Sequence, residues 1–254
     1  MKHKIVCFIV LLLSISIDTI AQDLAAGDKL MSNFSVGYDL NKKIRIGLQS
    51  MTIADRSLQY LSYGLSGQYQ INKRNEISLA ADRIQMMDGG RFSELFHSIQ
   101  LGYENSINSK TYGLKNGVAL ESNFPSFRKY KNRVIFSSEF VLKTNFTALR
   151  IRPFTEARLY YYHGGKGINY YNPEGDLVIT KSPNDFHRYR VYLGIKTRPF
   201  KQVHLNIAYF LNREFNSNLF PYSQLNVPNR RGTKTIAPFN NYNGIFTSLS
   251  FSIN

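Results

Sequence analysis

From Ile44 to the end of the chain the apolar side chains recur at every second position, in stretches of about 10 to 14 residues, and few folds accept such a pattern. One stretch runs Val203, Leu205, Ile207, Tyr209, Leu211, with His204, Asn206 and Ala208 between them. Another runs Tyr189, Val191, Leu193, Ile195, Thr197, alternating with Arg188, Arg190, Tyr192, Gly194, Lys196 and Arg198. Helical periodicity is nowhere sustained. The stretches exceed the usual soluble strand of about 5 to 6 residues and suit a tilted membrane-crossing strand of about 9 to 11. A soluble β-sandwich is the rival fold, but it would use the shorter strands.

Eleven such segments are legible, near 32–40, 43–53, 57–71, 75–86, 91–104, 110–122, 132–143, 146–161, 186–198, 202–213 and 242–254. Bacterial single-chain barrels carry an even number of strands. The expectation is therefore an all-β, transmembrane, antiparallel up-and-down β-barrel of about 12 strands, with 10 as the alternative. The missing strand would lie between Asp23 and Leu30 or in the segment from Asn216. Connections alternate between a short polar set, such as Asn41-Lys42-Lys43 and Pro199-Phe200-Lys201, and a longer set that includes His163 to Asp185 and Asn216 to Asn241. Short periplasmic turns opposite longer external loops are the outer-membrane arrangement.

The N-terminus supplies the address. Lys2 and Lys4 precede an apolar run from Ile5 to Ile17 that ends at Thr19-Ile20-Ala21, the form of a secretory signal peptide (residues 1–21) ahead of a barrel domain (22–254). The run is too short to cross a bilayer of about 30 Å comfortably. The chain's one cysteine, Cys7, would leave with the signal, and disulfide, thiolate and cysteine-ligated metal chemistry with it. Removing Lys2, Lys4 and Asp18 changes a net charge of +15 into 30 basic residues against 16 acidic ones, or +14 on the exported protein. The 17 Tyr and 18 Phe argue against a disordered chain. Clusters such as Tyr160-Tyr161-Tyr162 suit interfacial girdles.

Three runs have residue-level character: Leu149 to Arg158 (LRIRPFTEAR), His187 to Gly194 (HRYRVYLG) and Tyr209 to Asn216 (YFLNREFN). With these the chain resembles a family of small Gram-negative outer-membrane β-barrels catalogued as a domain of unknown function. The resemblance implies the barrel fold, an outer-membrane location and engagement of the barrel-assembly machinery during biogenesis. It brings no catalytic residues. Such barrels commonly end on an aromatic residue, and this chain ends Phe251-Ser252-Ile253-Asn254.

If the apolar set faces lipid, the alternate set faces the lumen and forms a charge lattice. Arg150, Arg152, Arg158, Arg188 and Arg190 fall on one wall as a basic track. Guanidinium forks of this kind bind carboxylate or phosphate groups and favour small anionic solutes. Against this porin-like role, the competing reading has Glu76, Glu121, Glu139 and Glu156 neutralise them in a structural network that fills a narrow interior, since barrels near eight strands are filled by side chains. Both readings stay open at this point. Asp185 and His187, two apart at a strand start, are weak candidates for a general base in a membrane-embedded hydrolase acting on lipid or peptide at the outer rim. No zinc spacing links the histidines and no cofactor motif is present; the glycine run His163 to Gly167 lacks a phosphate-loop context and is expected to be a mobile external loop. Basic-aromatic patches such as Phe127 to Lys131 are assigned to lipid headgroups rather than nucleic acid, because an exported barrel meets the former.

Overall fold

A computed structural model of the chain describes residues 28–88, 91–143 and 150–253, so the expected signal peptide lies outside the described residues. Among the described residues there is no helix. The strands are β1 (Asp28–Asp39), β2 (Ile44–Ala54), β3 (Leu58–Gln70), β4 (Asn75–Asp88), β5 (Arg91–Asn108), β6 (Tyr112–Phe124), β7 (Tyr130–Leu142), β8 (Arg152–Gly164), β9 (Ile168–Tyr171), β10 (Leu177–Lys181), β11 (Phe186–Phe200), β12 (Val203–Glu214), β13 (Val227–Pro228), β14 (Thr235–Ile236) and β15 (Tyr242–Ile253). Eleven of them close into a barrel in the order β1-β15-β12-β11-β8-β7-β6-β5-β4-β3-β2, with β2 returning to β1.

The barrel expectation holds, and the strand count is eleven rather than twelve or ten. The eleven alternating segments are the wall strands themselves. An odd meander places its first and last strands in the same direction. The seam β1·β15 is accordingly parallel, in register from Asp28↔Asn243 to Tyr38↔Ile253, while every other wall pair is antiparallel. The segment after Asn216 does contain strands, but β13 and β14 form a separate two-residue ladder outside the wall, as β9 and β10 form a separate hairpin.

Alternation sorts the side chains as their period requires. Outward positions are apolar and bare, as at Leu48, Leu65, Leu101, Leu193 and Tyr209, and Leu193 is 69% exposed. Inward positions mix charge, small residues and aromatics. One aromatic cluster, Met31, Phe154, Tyr192, Phe210 and Tyr242, packs inside the barrel against β1, β8, β11, β12 and β15. A second joins barrel to loops: Tyr130, Tyr160 and Tyr162 meet Ile168, Tyr170, Leu225, Val227 and Ala237. The segments 165–185 and 215–241 therefore fold onto one end of the barrel. The glycine run is part of this cap, with Gly164 N donating to Asn184 Oδ1 at 2.9 Å and Lys166 N to the Arg128 carbonyl at 2.9 Å. The loop asymmetry is carried by these two segments and 125–129. At the same end β3 follows β2 and β5 follows β4 after few residues, from Ala54 to Leu58 and from Asp88 to Arg91, while at the opposite end β7 ends at Leu142 and β8 begins only at Arg152.

The seam tolerates no side chain at Gly244. A Cβ there would sit 1.7 Å from the Lys29 carbonyl oxygen, whereas a Cβ at Gly67 would meet nothing within 4 Å. Gly244→Ala should destabilise the folded barrel by about 1–3 kcal/mol through backbone overlap at the closure. Gly67→Ala should be neutral or slightly stabilising. Urea unfolding of the two variants in detergent micelles checks the contrast.

Candidate functional site

Among the described residues the lumen includes a larger and a smaller cavity. The larger, about 1320 Å³, lies toward the capped end and includes loop residues Phe127, Lys129, Gly167 and Asn240 in its lining. Its space arises because inward positions on β3 to β6 are small: Ser62, Ser78, Ser98, Gly102, Gly117 and Ala119. The smaller, about 310 Å³, lies toward the short turns.

An alternating acid-base chain separates them. Glu104 on β5 binds Lys115 on β6 at 2.8 Å, Lys115 stands opposite Glu139 on β7, and Glu139 binds Lys196 on β11 at 2.5 Å. The last link reaches over β8, where the Lys196 ammonium lies 4.7 Å from the Phe154 ring centroid. Glu104 lines the larger cavity; Lys115, Glu139 and Lys196 line the smaller. Phe154 itself is buried between Arg152 and Glu156 on the same inward row.

This partition divides the five sequence-predicted arginines. Arg158, Arg188 and Arg190 line the larger cavity and Arg150 and Arg152 the smaller, so the single track expected along one wall is two groups. Arg150 also lies off the strand expected over 146–161: β8 begins at Arg152, and Arg150 takes a left-handed φ of 54°. In the smaller cavity Lys115, Lys143, Arg150, Arg152, Lys196 and Arg198 face one carboxylate, Glu139. Arg152 Nε is buried there with no hydrogen-bond partner.

The larger cavity has a more balanced wall. Arg133 binds Glu121 at 2.7 Å, Arg158 binds Glu156 at 2.6 Å, and Arg188 binds Glu214 at 2.6 Å. Three guanidiniums, of Arg133, Arg188 and Arg190, lie 5.4 to 6.0 Å from the centroid of the Tyr160 ring, where its π face favours positive charge. Arg190 differs from its neighbours. It donates to Asn212 Oδ1 at 3.0 Å and to the hydroxyls of Tyr192 and Tyr242 at 3.2 and 3.1 Å, with no carboxylate partner among the described residues. Of the neutralising set expected from sequence, Glu121, Glu139 and Glu156 pair with cations; Glu76 has no ion pair among the described residues.

Glu214 is the hub that the sequence reading missed. Fully buried at the end of β12, it accepts from Arg188, Lys129, Tyr162 Oη at 3.1 Å and Asn240 N at 2.7 Å. It thus ties β8 and β11 to both the 125–129 and the 215–241 segments. Lys129 also donates to the Pro238 carbonyl at 2.6 Å. Burial pulls the Lys129 pKa below its ordinary value, against the opposing pull of the Glu214 carboxylate. The signal in the sequence was parity, since 204, 206, 208, 210, 212 and 214 share the inward row, but the apolar Ala208 and Phe210 interrupt its polar character.

Asp185 and His187 are both fully buried but have separate tasks. Asp185 Oδ1 accepts from Phe186 N at 2.7 Å, and Oδ2 accepts from Leu219 N and Phe220 N at 3.1 and 3.4 Å, which fastens the 215–220 segment. His187 Nδ1 lies 3.0 Å from the Phe215 carbonyl, and its Nε2 is buried without a partner. Neither side chain lines the larger or the smaller cavity. Both contacts fasten the cap to the start of β11. No known protein-family model matches the chain, and a search of curated proteins returns no relative.

Removing the Glu214 charge leaves Arg188 and Lys129 buried without their carboxylate. Glu214→Gln should cost about 3–5 kcal/mol of stability, whereas Glu156→Gln, whose partner Arg158 is 36% exposed to the cavity, should cost under about 1 kcal/mol. Glu214→Gln should also open the 215–241 segment to limited proteolysis, read by the cleavage site and its rate.

Proposed function

We propose that the protein is an outer-membrane β-barrel with a divided, anion-attracting lumen that passes small anionic solutes narrowly rather than as an open pore. The observation that carries this reading is the cation excess around the smaller cavity, six Lys or Arg side chains to one carboxylate, set against a partition of paired charges. Membrane placement is supported by the bare apolar outward face together with a closed wall, because in lipid only helices and closed barrels satisfy their backbone groups. The signal-like N-terminus and the resemblance to small Gram-negative outer-membrane barrels point the same way, and would make lipids and the barrel-assembly machinery its partners. Lumen arginines are tolerated where lipid-facing ones are costly. An anion entering from the short-turn end meets favourable potential throughout the smaller cavity and then the Glu139–Lys196 link.

A packed structural barrel is the second reading, favoured by the buried pairs Arg188–Glu214 and Arg133–Glu121. Nothing in the geometry of Asp185 and His187 favours the hydrolase reading over either.

Planar-bilayer recording separates the first two. The folded protein should give a small conductance with anion preference, and Lys196→Ala, which removes both the Glu139 pair and the contact with Phe154, should raise it several-fold. A wide, cation-selective pore would contradict the proposal, and so would silence in both proteins.

A further inference from the structure

Among the charges that line the larger cavity without an ion pair in the described residues, two of opposite sign stand on the strand wall, Arg190 and Asp82. Among the described residues Arg190 on β11 has only neutral partners, the Met31 sulfur included. Asp82 on β4 accepts from Gln49 Nε2 at 2.9 and 3.0 Å through its two oxygens and has no ion pair among the described residues. Both line the same cavity. In the ring of eleven strands, four lie between β4 and β11 one way round and five the other, so the two charges stand on opposite walls.

The positive wall carries a further imbalance. Arg190 pairs directly across the ladder with Arg158 on β8, and like charges directly opposite destabilise a sheet. Only Glu156 offsets them, through the Arg158 Nε. The two terminal nitrogens of Arg158 hold no acceptor among the described residues; its guanidinium lines the cavity and lies 5.2 Å from the Tyr192 ring centroid. Arg188 adds a buried Nε without a partner on the same wall. Across the cavity, Glu94 on β5, opposite Met86 in the ladder, is a second acid in the lining without an ion pair among the described residues, four positions along the strands from Asp82. Gly64, opposite Asp82 in the ladder, keeps that carboxylate uncovered: a Cβ there would lie 2.4 Å from Asp82 Oδ1.

We infer that the larger cavity is a binding site for a zwitterion, a small molecule with a carboxylate at one end and an ammonium at the other. The carboxylate takes the Arg158 fork bidentately and relieves the Arg158–Arg190 repulsion. The ammonium lies against Asp82. A simple anion satisfies one wall and leaves the other unpaired. The inference deepens the reading of an anion-attracting lumen and rests on it for ligand access.

The test is calorimetric titration of the folded, detergent-solubilised barrel with ω-amino acids from aminobutyrate to aminooctanoate, each beside the matched carboxylate and alkylamine. Fixed charges on facing walls should give an affinity maximum at one chain length, where the amino acid binds about tenfold more tightly than its carboxylate. Asp82→Asn should bring that amino acid to the level of the carboxylate and leave the carboxylate unchanged. Arg158→Gln should abolish both, and Arg158→Lys should retain a weakened response, with unchanged melting temperatures showing that the barrel is intact. Equal binding of amino acid and carboxylate at every length, or an Asp82→Asn variant that still prefers the amino acid, overturns the inference. Since the titration needs no bilayer, binding without conductance would count against the channel reading alone.

Discussion

A sheet that meanders through eleven strands brings its first and last strands together running the same way, so this barrel closes only through the parallel β1·β15 ladder. Every backbone group of the wall depends on that closure, because an open edge leaves a row of unpaired N–H and C=O groups. Parallel pairs are slightly weaker per residue than antiparallel ones, and the seam is reinforced by side chains on both faces. Phe34 meets Phe251 outside at 5.8 Å between ring centroids. Ser35 bonds Ser250 inside at 2.8 Å, and Thr247 bonds Ser32 at 3.0 Å. Lys29 lies 4.7 Å from the Tyr242 ring centroid and anchors the start of β1 over β15.

Closure fixes what the lumen must contain. Eleven strands lie between the eight that side chains fill and the sixteen or so that leave a channel. This interior takes the intermediate course. Aromatics fill the β8, β11, β12 and β15 side, small residues leave space on β3 to β6, and paired charges cross between. The like-charge neighbours Arg158↔Arg190 and Arg152↔Lys196 on the β8·β11 ladder adjoin Glu139↔Glu156 on the β7·β8 ladder, and Glu76↔Glu104 lies farther round the wall on the β4·β5 ladder. Charge is thus sorted by position around the wall, and the sorting generates both the partition and the opposed charges of the larger cavity.

The wall was legible in the sequence because period two is a local property. Leu193 and Ile195 point out and Arg188 and Arg190 point in wherever the barrel closes. Parity also placed Glu121, Glu139 and Arg158 inward. The parallel seam was not legible, since the pairing of Asp28 with Asn243 depends on the total strand number and on no nearby residue. Nor was the division of the arginines. Phe154 and Tyr192 share the inward rows with Arg152, Arg158 and Arg190, and an alternation read as polar-inside gives no account of buried aromatics there. Glu214 escaped notice for a related reason: its partners Lys129, Arg188 and Asn240 lie 85, 26 and 26 residues away in the chain. The cap needed tertiary contacts too, because Tyr170 Oη meets the Gln224 carbonyl at 3.0 Å across two separate segments.

The central claim is that the bare apolar face meets lipid while the charged face encloses water. Site-directed spin labelling tests it most directly, since the only natural cysteine is Cys7 and single cysteines introduced elsewhere can be read one at a time. In reconstituted bilayers, labels at Leu65 and Leu193 should relax with oxygen and ignore a water-soluble nickel complex. Labels at Ser98 and Ser137, which line the larger cavity, should respond to nickel and not to oxygen. Equal nickel accessibility at all four positions would contradict the account.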